Sequence, residues 1–147
     1  LWHGSRDSAR TPVQWSAEPN AGFTTGKPWF YVNENYVDVN VAAQEQDADS
    51  VLNFYRKAIT LRKSLSCVRH GDYKEYNKLS SSLYTYSRED DKQKLLVICS
   101  YTEKKVPLRL PEGFDIPSAK LVLKNYKNPC PKFLKPFETR VYLWEKA

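Results

Sequence analysis

The apolar residues of this chain change their spacing twice, and the changes mark off three stretches that cannot share one kind of structure. To about Gln46 there is no period: Pro, Gly, Asn and Thr are frequent, with aromatic residues scattered among them. This reads as a long ordered loop, and connections beyond about 12–15 residues tend to be functional. From Asp49 onward, Val51, Phe54, Tyr55, Ala58, Leu61 and Leu65 recur at three- and four-residue intervals, the stripe of an amphipathic helix. Asp47, Asp49 and Ser50 supply capping oxygens at its start, and Arg62 and Lys63 suit its negative end. The stripe implies a partner surface.

From Cys67 the period shortens again. β-type runs at residues 83–87, 95–101, 106–110, 120–123 and 140–144 alternate with turn residues, which predicts antiparallel pairing. Hairpin-type breaks fall at Glu89-Asp90-Asp91-Lys92 and at Pro111-Glu112-Gly113, and Leu95-Leu96-Val97-Ile98-Cys99 reads as a central strand buried on both faces. Residues 67–147 are therefore expected to form a small antiparallel all-β sandwich.

The chain has 147 residues, 41% of them hydrophobic, enough for a core of its own. Met is absent, so Leu1 is read as an internal position of a longer protein. No run approaches the roughly 20 apolar residues of a membrane span, and no membrane partner is expected. Cys67, Cys99 and Cys130 are widely spaced and odd in number, which argues against a disulfide scaffold or a zinc site and for thiols in a reducing, cytoplasmic compartment. The net charge of +6 raises the question of nucleic acid, but basic residues alternate with acids, as in Arg88-Glu89-Asp90-Asp91-Lys92. This is ordinary surface charge, and no nucleic-acid partner, metal or cofactor is expected.

Unusual residues concentrate in Ser5-Arg6-Asp7-Ser8-Ala9-Arg10-Thr11-Pro12-Val13-Gln14-Trp15 and Asn20-Ala21-Gly22-Phe23-Thr24-Thr25-Gly26-Lys27-Pro28-Trp29. Arg can bridge vicinal sugar hydroxyls, Asp and Gln hydrogen-bond in the same plane, and Trp offers an apolar face to the C–H side of a pyranose ring. The same composition is also compatible with an Arg6–Asp7 pair that orders the loop and with Trp15 and Trp29 as loop anchors.

The order of these residues resembles the RDNARTPMQW stretch of oligo-1,6-glucosidases and α-glucosidases of the α-amylase superfamily. The likeness continues through Asn20 to Trp29, Val39-Asn40-Val41, Asp49 to Tyr55 and Leu61-Arg62-Lys63. His70-Gly71-Asp72-Tyr73, Lys94-Leu95-Leu96-Val97-Ile98 and Leu134-Lys135-Pro136-Phe137-Glu138 resemble its later motifs. Ser8 and Val13 depart from the commoner Asn and Met, and such variants also occur in trehalose-6-phosphate hydrolases.

The resemblance implies the C-terminal end of a (β/α)8 barrel in residues 1–66, comprising the eighth βα-loop and the last helix, followed by the β-sandwich in 67–147. Barrel active sites are built from just such loops. Arg6 then matches the arginine that binds the terminal glucose. Arg10, also a candidate substrate contact, is better assigned to orienting the loop through Asp7 or backbone carbonyls. Retaining glycosidases need two carboxyl groups about 5 Å apart. The family's catalytic carboxylates lie before Leu1, and Asp7, Glu18, Asp38 and Glu45 read as solvated or capping groups, so no catalytic residue is expected here. The implied parent hydrolyses terminal α-1,6- or α-1,4-linked glucose from small oligosaccharides of the isomaltose or maltose type. This segment would be inactive without the upstream barrel of the same polypeptide. A trehalose-6-phosphate hydrolase segment and a non-catalytic carbohydrate-binding or structural β-sandwich are the alternatives.

Overall fold

A computed structural model describes residues 9–146. The chain forms two compact units, Leu1–Arg56 and Lys57–Ala147.

In the first unit the aperiodic stretch is mostly irregular but ordered. Short 3-10 turns occupy Pro19–Gly22 and Glu34–Val37, and a short helix, α1 (Val41–Gln46), closes the stretch that the sequence reads as loop throughout. Its cap explains why no period announces it. The buried Asn40 accepts from the Ala43 amide at 2.8 Å and donates to the Tyr36 carbonyl at 2.9 Å, so one side chain fixes six helical residues.

Helix α2 (Val51–Ser64) follows. Ser50 begins it, as the sequence suggests: its hydroxyl accepts from the Asn53 amide (3.1 Å) and donates to the Gln44 carbonyl (2.7 Å). Gln44 Oε1 takes the Leu52 amide at 3.0 Å. Asn53 in turn donates to the carbonyls of Gln44, Glu45 and Asp47, satisfying the end of α1. The expected stripe is only partly covered. Phe54, Ala58 and Leu61 are half-buried, whereas Val51 is 69% exposed and Tyr55 64%.

In the second unit, α3 (Ser66–His70) leads into β1 (Asp72–Tyr76), β2 (Leu83–Glu89), β3 (Gln93–Ser100), β4 (Val106–Pro107), β5 (Lys120–Lys124), β6 (Phe133–Leu134) and β7 (Thr139–Glu145). Five strands form one antiparallel sheet in the order β1-β2-β3-β7-β5, and β4 and β6 pair as a two-stranded ribbon. The antiparallel sheet is as expected. Its second layer is this ribbon, with the expected strand at 106–110 reduced to Val106–Pro107. Pro107 lacks an amide to continue a ladder, although Leu108 and Leu110 still pack on the core.

Glu89-Asp90-Asp91-Lys92 is the β2–β3 hairpin turn. Pro111-Glu112-Gly113 is not a hairpin: β4 and β5 do not pair, and the turn leads instead towards a 3-10 turn at Ile116–Ser118. The sequence reading omits β1, whose DYKEY sequence lacks apolar alternation because it is an edge strand.

Strand β3 is the axis of the core. Leu95 and Val97 join Val141, Leu143, Leu65 and Cys67 on one face, with Leu61 and Val68 of the helical segment against them. Leu96 and Ile98 join Tyr142 and Leu134 on the other, under Leu108, Leu110, Phe114 and Ile116. Each fully buried Leu or Ile contributes about 1.5–3 kcal/mol. Glu138 and Arg140 are also fully buried, with Nε to Oε1 at 2.8 Å. Arg140 Nη2 donates to the Phe133 carbonyl at 2.8 Å, and Glu138 Oε2 accepts the Lys135 amide at 2.6 Å, tying β7 to β6. Burial works against the Arg140 charge, but its bonds to Glu138 and Tyr142 outweigh that and raise its pKa.

Candidate functional site

The residues that the sequence singles out lie in the first unit. Arg6, with Asp7 and Ser8, falls outside the described residues. Arg10 is described: its guanidinium carbon lies 5.8 Å from the centroid of the Trp29 ring, within cation–π range. Trp29 is 61% exposed and stacks, tilted, on Phe30 at 5.4 Å; Phe30 meets Tyr31 at 4.7 Å. A cation and three successive rings thus form an aromatic ledge along the loop. The sequence reading assigns Arg10 to Asp7 or backbone carbonyls, and the Trp29 ring is a partner it does not name.

Backbone hydrogen bonds hold this loop without regular structure. Gln14 accepts the Val41 amide through its carbonyl at 2.9 Å, and its side chain donates to the Val39 carbonyl. The Trp15 carbonyl accepts the Ala42 amide at 3.0 Å. The motif segment is therefore tied to the start of α1. The amides of Trp15 (2.9 Å) and Ser16 (3.1 Å) both donate to the Ala21 carbonyl.

That carbonyl is presented by an uncommon turn. Asn20, Ala21 and Gly22 are consecutive left-handed residues, with φ of 56°, 58° and 65°. Ala21 is buried there, and each left-handed non-glycine residue costs about 1–2 kcal/mol. Asn20 recovers part of the cost by donating to the carbonyls of Thr24 (3.1 Å) and Gly26 (3.2 Å). Gly22 suits this turn by its φ, and a Cβ there would also meet Ser16 Oγ at 2.5 Å and make that hydroxyl move.

Among the described residues of this unit, the carboxylates do not assemble into an acid–base pair. Glu45 bonds Arg56 at 2.7 Å, and Asp47 accepts the Asp49 amide at 2.9 Å. Glu18, Glu34 and Asp38 are exposed. No group of three or more His, Cys, Asp or Glu among the described residues could hold a metal ion. Cys67, Cys99 and Cys130 are free thiols, and burial pushes the first two up in pKa.

The sequence reading also passed over a group of tyrosines on the sheet. Tyr73 (β1) and Tyr84 (β2) share a hydroxyl–hydroxyl bond of 2.9 Å, and Tyr86 lies 5.6 Å from Tyr73 and 5.4 Å from Tyr84 by ring centroids. Tyr101 adds a fourth ring, 6.4 Å from Tyr84. The signal was there: Tyr84 and Tyr86 alternate on one strand and so share a face.

Comparison with known proteins fits this geometry. The family described as "Alpha amylase, catalytic domain" matches residues 2–71, a stretch that holds the loop, α1, α2 and α3. The chain is 39% identical over 146 residues to the probable oligo-1,6-glucosidase 2 of Bacillus subtilis, covering 97% of this chain and 26% of that protein. It is 40% identical over 138 residues to the trehalose-6-phosphate hydrolase of Escherichia coli, covering 91% of this chain and 25% of that one. Among solved structures, the trehalose-6-phosphate hydrolase of Bacillus licheniformis superposes with a TM-score of 0.87 at 37% identity, covering 97% of this chain and 27% of that one. The chain thus spans about a quarter of the length of these relatives. Residues 2–71 are thus similar to the catalytic domain of the α-amylase family, and the chain as a whole to the glycoside hydrolases named above.

Proposed function

We propose that this chain is the C-terminal portion of a retaining α-glucosidase that removes terminal α-1,6- or α-1,4-linked glucose from small oligosaccharides. In this reading residues 1–66 form the eighth βα-loop and closing helix of the barrel, and residues 67–147 the β-sandwich that follows it in the chain. The observation that carries it is the likeness to an oligo-1,6-glucosidase over 97% of the chain, which includes the whole Arg6 to Trp15 motif.

Arg6 hydrogen-bonds the terminal glucose, and Arg10 supports the loop by lying over Trp29. The nucleophile and the acid/base belong to the remainder of the barrel, since the carboxylates described here are engaged elsewhere or solvated. The exposed Val51 and Tyr55 face of α2 packs against that remainder. Three free thiols fit a cytoplasmic protein.

A chimera tests this, with the present chain replacing the matching quarter of the B. subtilis relative. It is expected to hydrolyse isomaltose, and Arg6→Ala within it to lower kcat/KM at least about tenfold. A change within about twofold would remove Arg6 from the substrate pocket. The likeness to trehalose-6-phosphate hydrolases supports a second reading, in which the substrate is phosphorylated. A chimera that cleaves trehalose 6-phosphate and leaves isomaltose intact would favour it.

A further inference from the structure

The tyrosine group on the sheet is not used by the function proposed above, and its chemistry is specific. By register, Tyr73 and Glu75 on β1 and Tyr84, Tyr86 and Arg88 on β2 share one face, that of Leu95, Val97 and Cys99 on β3. Part of this face lies under Leu65, Cys67 and Val68. Tyr73 is 49% exposed and Tyr101 62%. Tyr101 is held beside β2 by its amide, which donates to the Ser82 carbonyl at 2.9 Å.

The patch is aromatic without being wholly apolar. The Tyr73 and Tyr84 hydroxyls bond each other, and the Glu75 carboxylate lies 3.3 Å from the Tyr73 hydroxyl, so donors and an acceptor stand among the rings. The Tyr84 bond above all, with Glu75 nearby, raises the Tyr73 pKa, and burial raises that of Tyr86. Both phenols therefore stay neutral at physiological pH. The cation that β1 and β2 place on this face, Arg88, is spent on the carbonyls of Cys67 and Val68, both at 3.2 Å. With its guanidinium turned to those carbonyls and a carboxylate at its edge, this face offers little to phosphates and other anions. It suits a neutral ligand with apolar C–H faces and hydroxyl edges, which is what a pyranose ring presents.

We propose that Tyr73, Tyr84, Tyr86 and Tyr101 form a binding platform for a neutral oligosaccharide, with Tyr101 as the stacking ring and Tyr73, Tyr84 and Glu75 as its hydrogen-bonding edge. The observation goes beyond the hydrolytic reading and does not depend on it, since binding rather than turnover is measured.

The test uses the 147-residue chain, maltotriose and isomaltotriose as probes, and the tyrosine ring signals in NMR titrations. Saturable shifts of these rings are expected, with a Kd on the order of 1 mM. Tyr101→Ala should weaken binding at least about tenfold, while Tyr84→Phe, which keeps the ring and loses the hydroxyl, should weaken it less. Because Tyr101 is exposed and lies just past the end of β3, its removal should leave the backbone amide spectrum of the sheet unchanged. Ring signals that stay fixed up to about 20 mM sugar would overturn the proposal. So would Tyr101→Ala binding like the parent chain, or glucose 6-phosphate binding more tightly than the neutral sugars. Self-association that Tyr101→Ala abolishes and sugar does not compete with would assign the patch to a second copy of the chain instead.

Discussion

Replacing Arg140 with Met should unfold more of this protein than any exposed substitution, because of what it leaves behind. Met fills the space of the arginine stem but removes the guanidinium that faces Glu138 at 2.8 Å, the Phe133 carbonyl at 2.8 Å and the Tyr142 hydroxyl at 3.5 Å. Glu138 is fully buried, so its carboxylate keeps only the Lys135 amide. Breaking such a pair from one side costs about 3–5 kcal/mol, most of it the burial of an uncompensated charge. Domains of this size are stable by about 5–15 kcal/mol, so about a fifth or more of the margin disappears. The melting temperature of the sheet should fall by roughly 15 °C. The pair itself is another matter, because its attraction is largely offset by desolvation. Arg140→Met combined with Glu138→Gln keeps an acceptor for the Lys135 amide and should recover most of the loss. Urea denaturation of the three proteins decides the point. A single variant within about 1 kcal/mol of the parent would refute the argument, as would a double variant no better than the single.

Two further substitutions probe the start of the sheet. Gly71→Ala would place a Cβ 2.5 Å from the Cys67 carbonyl oxygen and 2.6 Å from that of Glu89, both backbone atoms that cannot swing away. It should cost on the order of 2 kcal/mol in a urea melt, and an unchanged midpoint would mean that the α3–β1 junction relaxes freely. Asp90 in the β2–β3 turn is held below the usual carboxylate range, with the Ser66 hydroxyl leading, burial opposing and the amides of Lys92 (2.9 Å) and Gln93 (2.7 Å) adding to it. A carboxyl whose folded pKa is lowered adds stability above its unfolded pKa and loses it as pH falls through the folded one. Asp90→Asn should therefore flatten the decline of thermal stability between about pH 5 and pH 2, and parallel curves for variant and parent would contradict this.

Much of the second unit can be read from its residues because burial imposes the pattern directly. Leu95 to Ile98 is apolar without a break, since β3 is paired on both edges and covered on both faces. The stripe of α2 is legible as a helix but misleading about burial: periodicity gives a face its composition without saying what covers it. Other features are invisible at that level. Residues 138–140 read Glu-Thr-Arg, an ordinary surface tripeptide, until β7 turns both charges inward beneath the ribbon. The loop is the hardest part, because its order rests on carbonyls and amides that every sequence possesses. Only Asn20-Ala21-Gly22 signals its left-handed turn, and only through Asn and Gly. For the site, the motif points to Arg6 and Arg10 by resemblance, whereas the ledge of Arg10 on Trp29 comes from geometry alone.

The sheet ends in two open strands, and their sequences bear on how the chain behaves at high concentration. β5 reads Lys-Leu-Val-Leu-Lys, which without its flanking charges would be a sticky apolar edge. If two copies met antiparallel along it, Lys120 of each would face Lys124 of the other, and like charges directly opposed disfavour the pairing. β1 behaves similarly, since Lys74 at its centre would face itself. The bulge between Leu121 and Leu123 spoils the register further. The lysines that contribute to the basic balance of this chain therefore serve as gatekeepers, discouraging the sheet from growing into a fibre through its own edges.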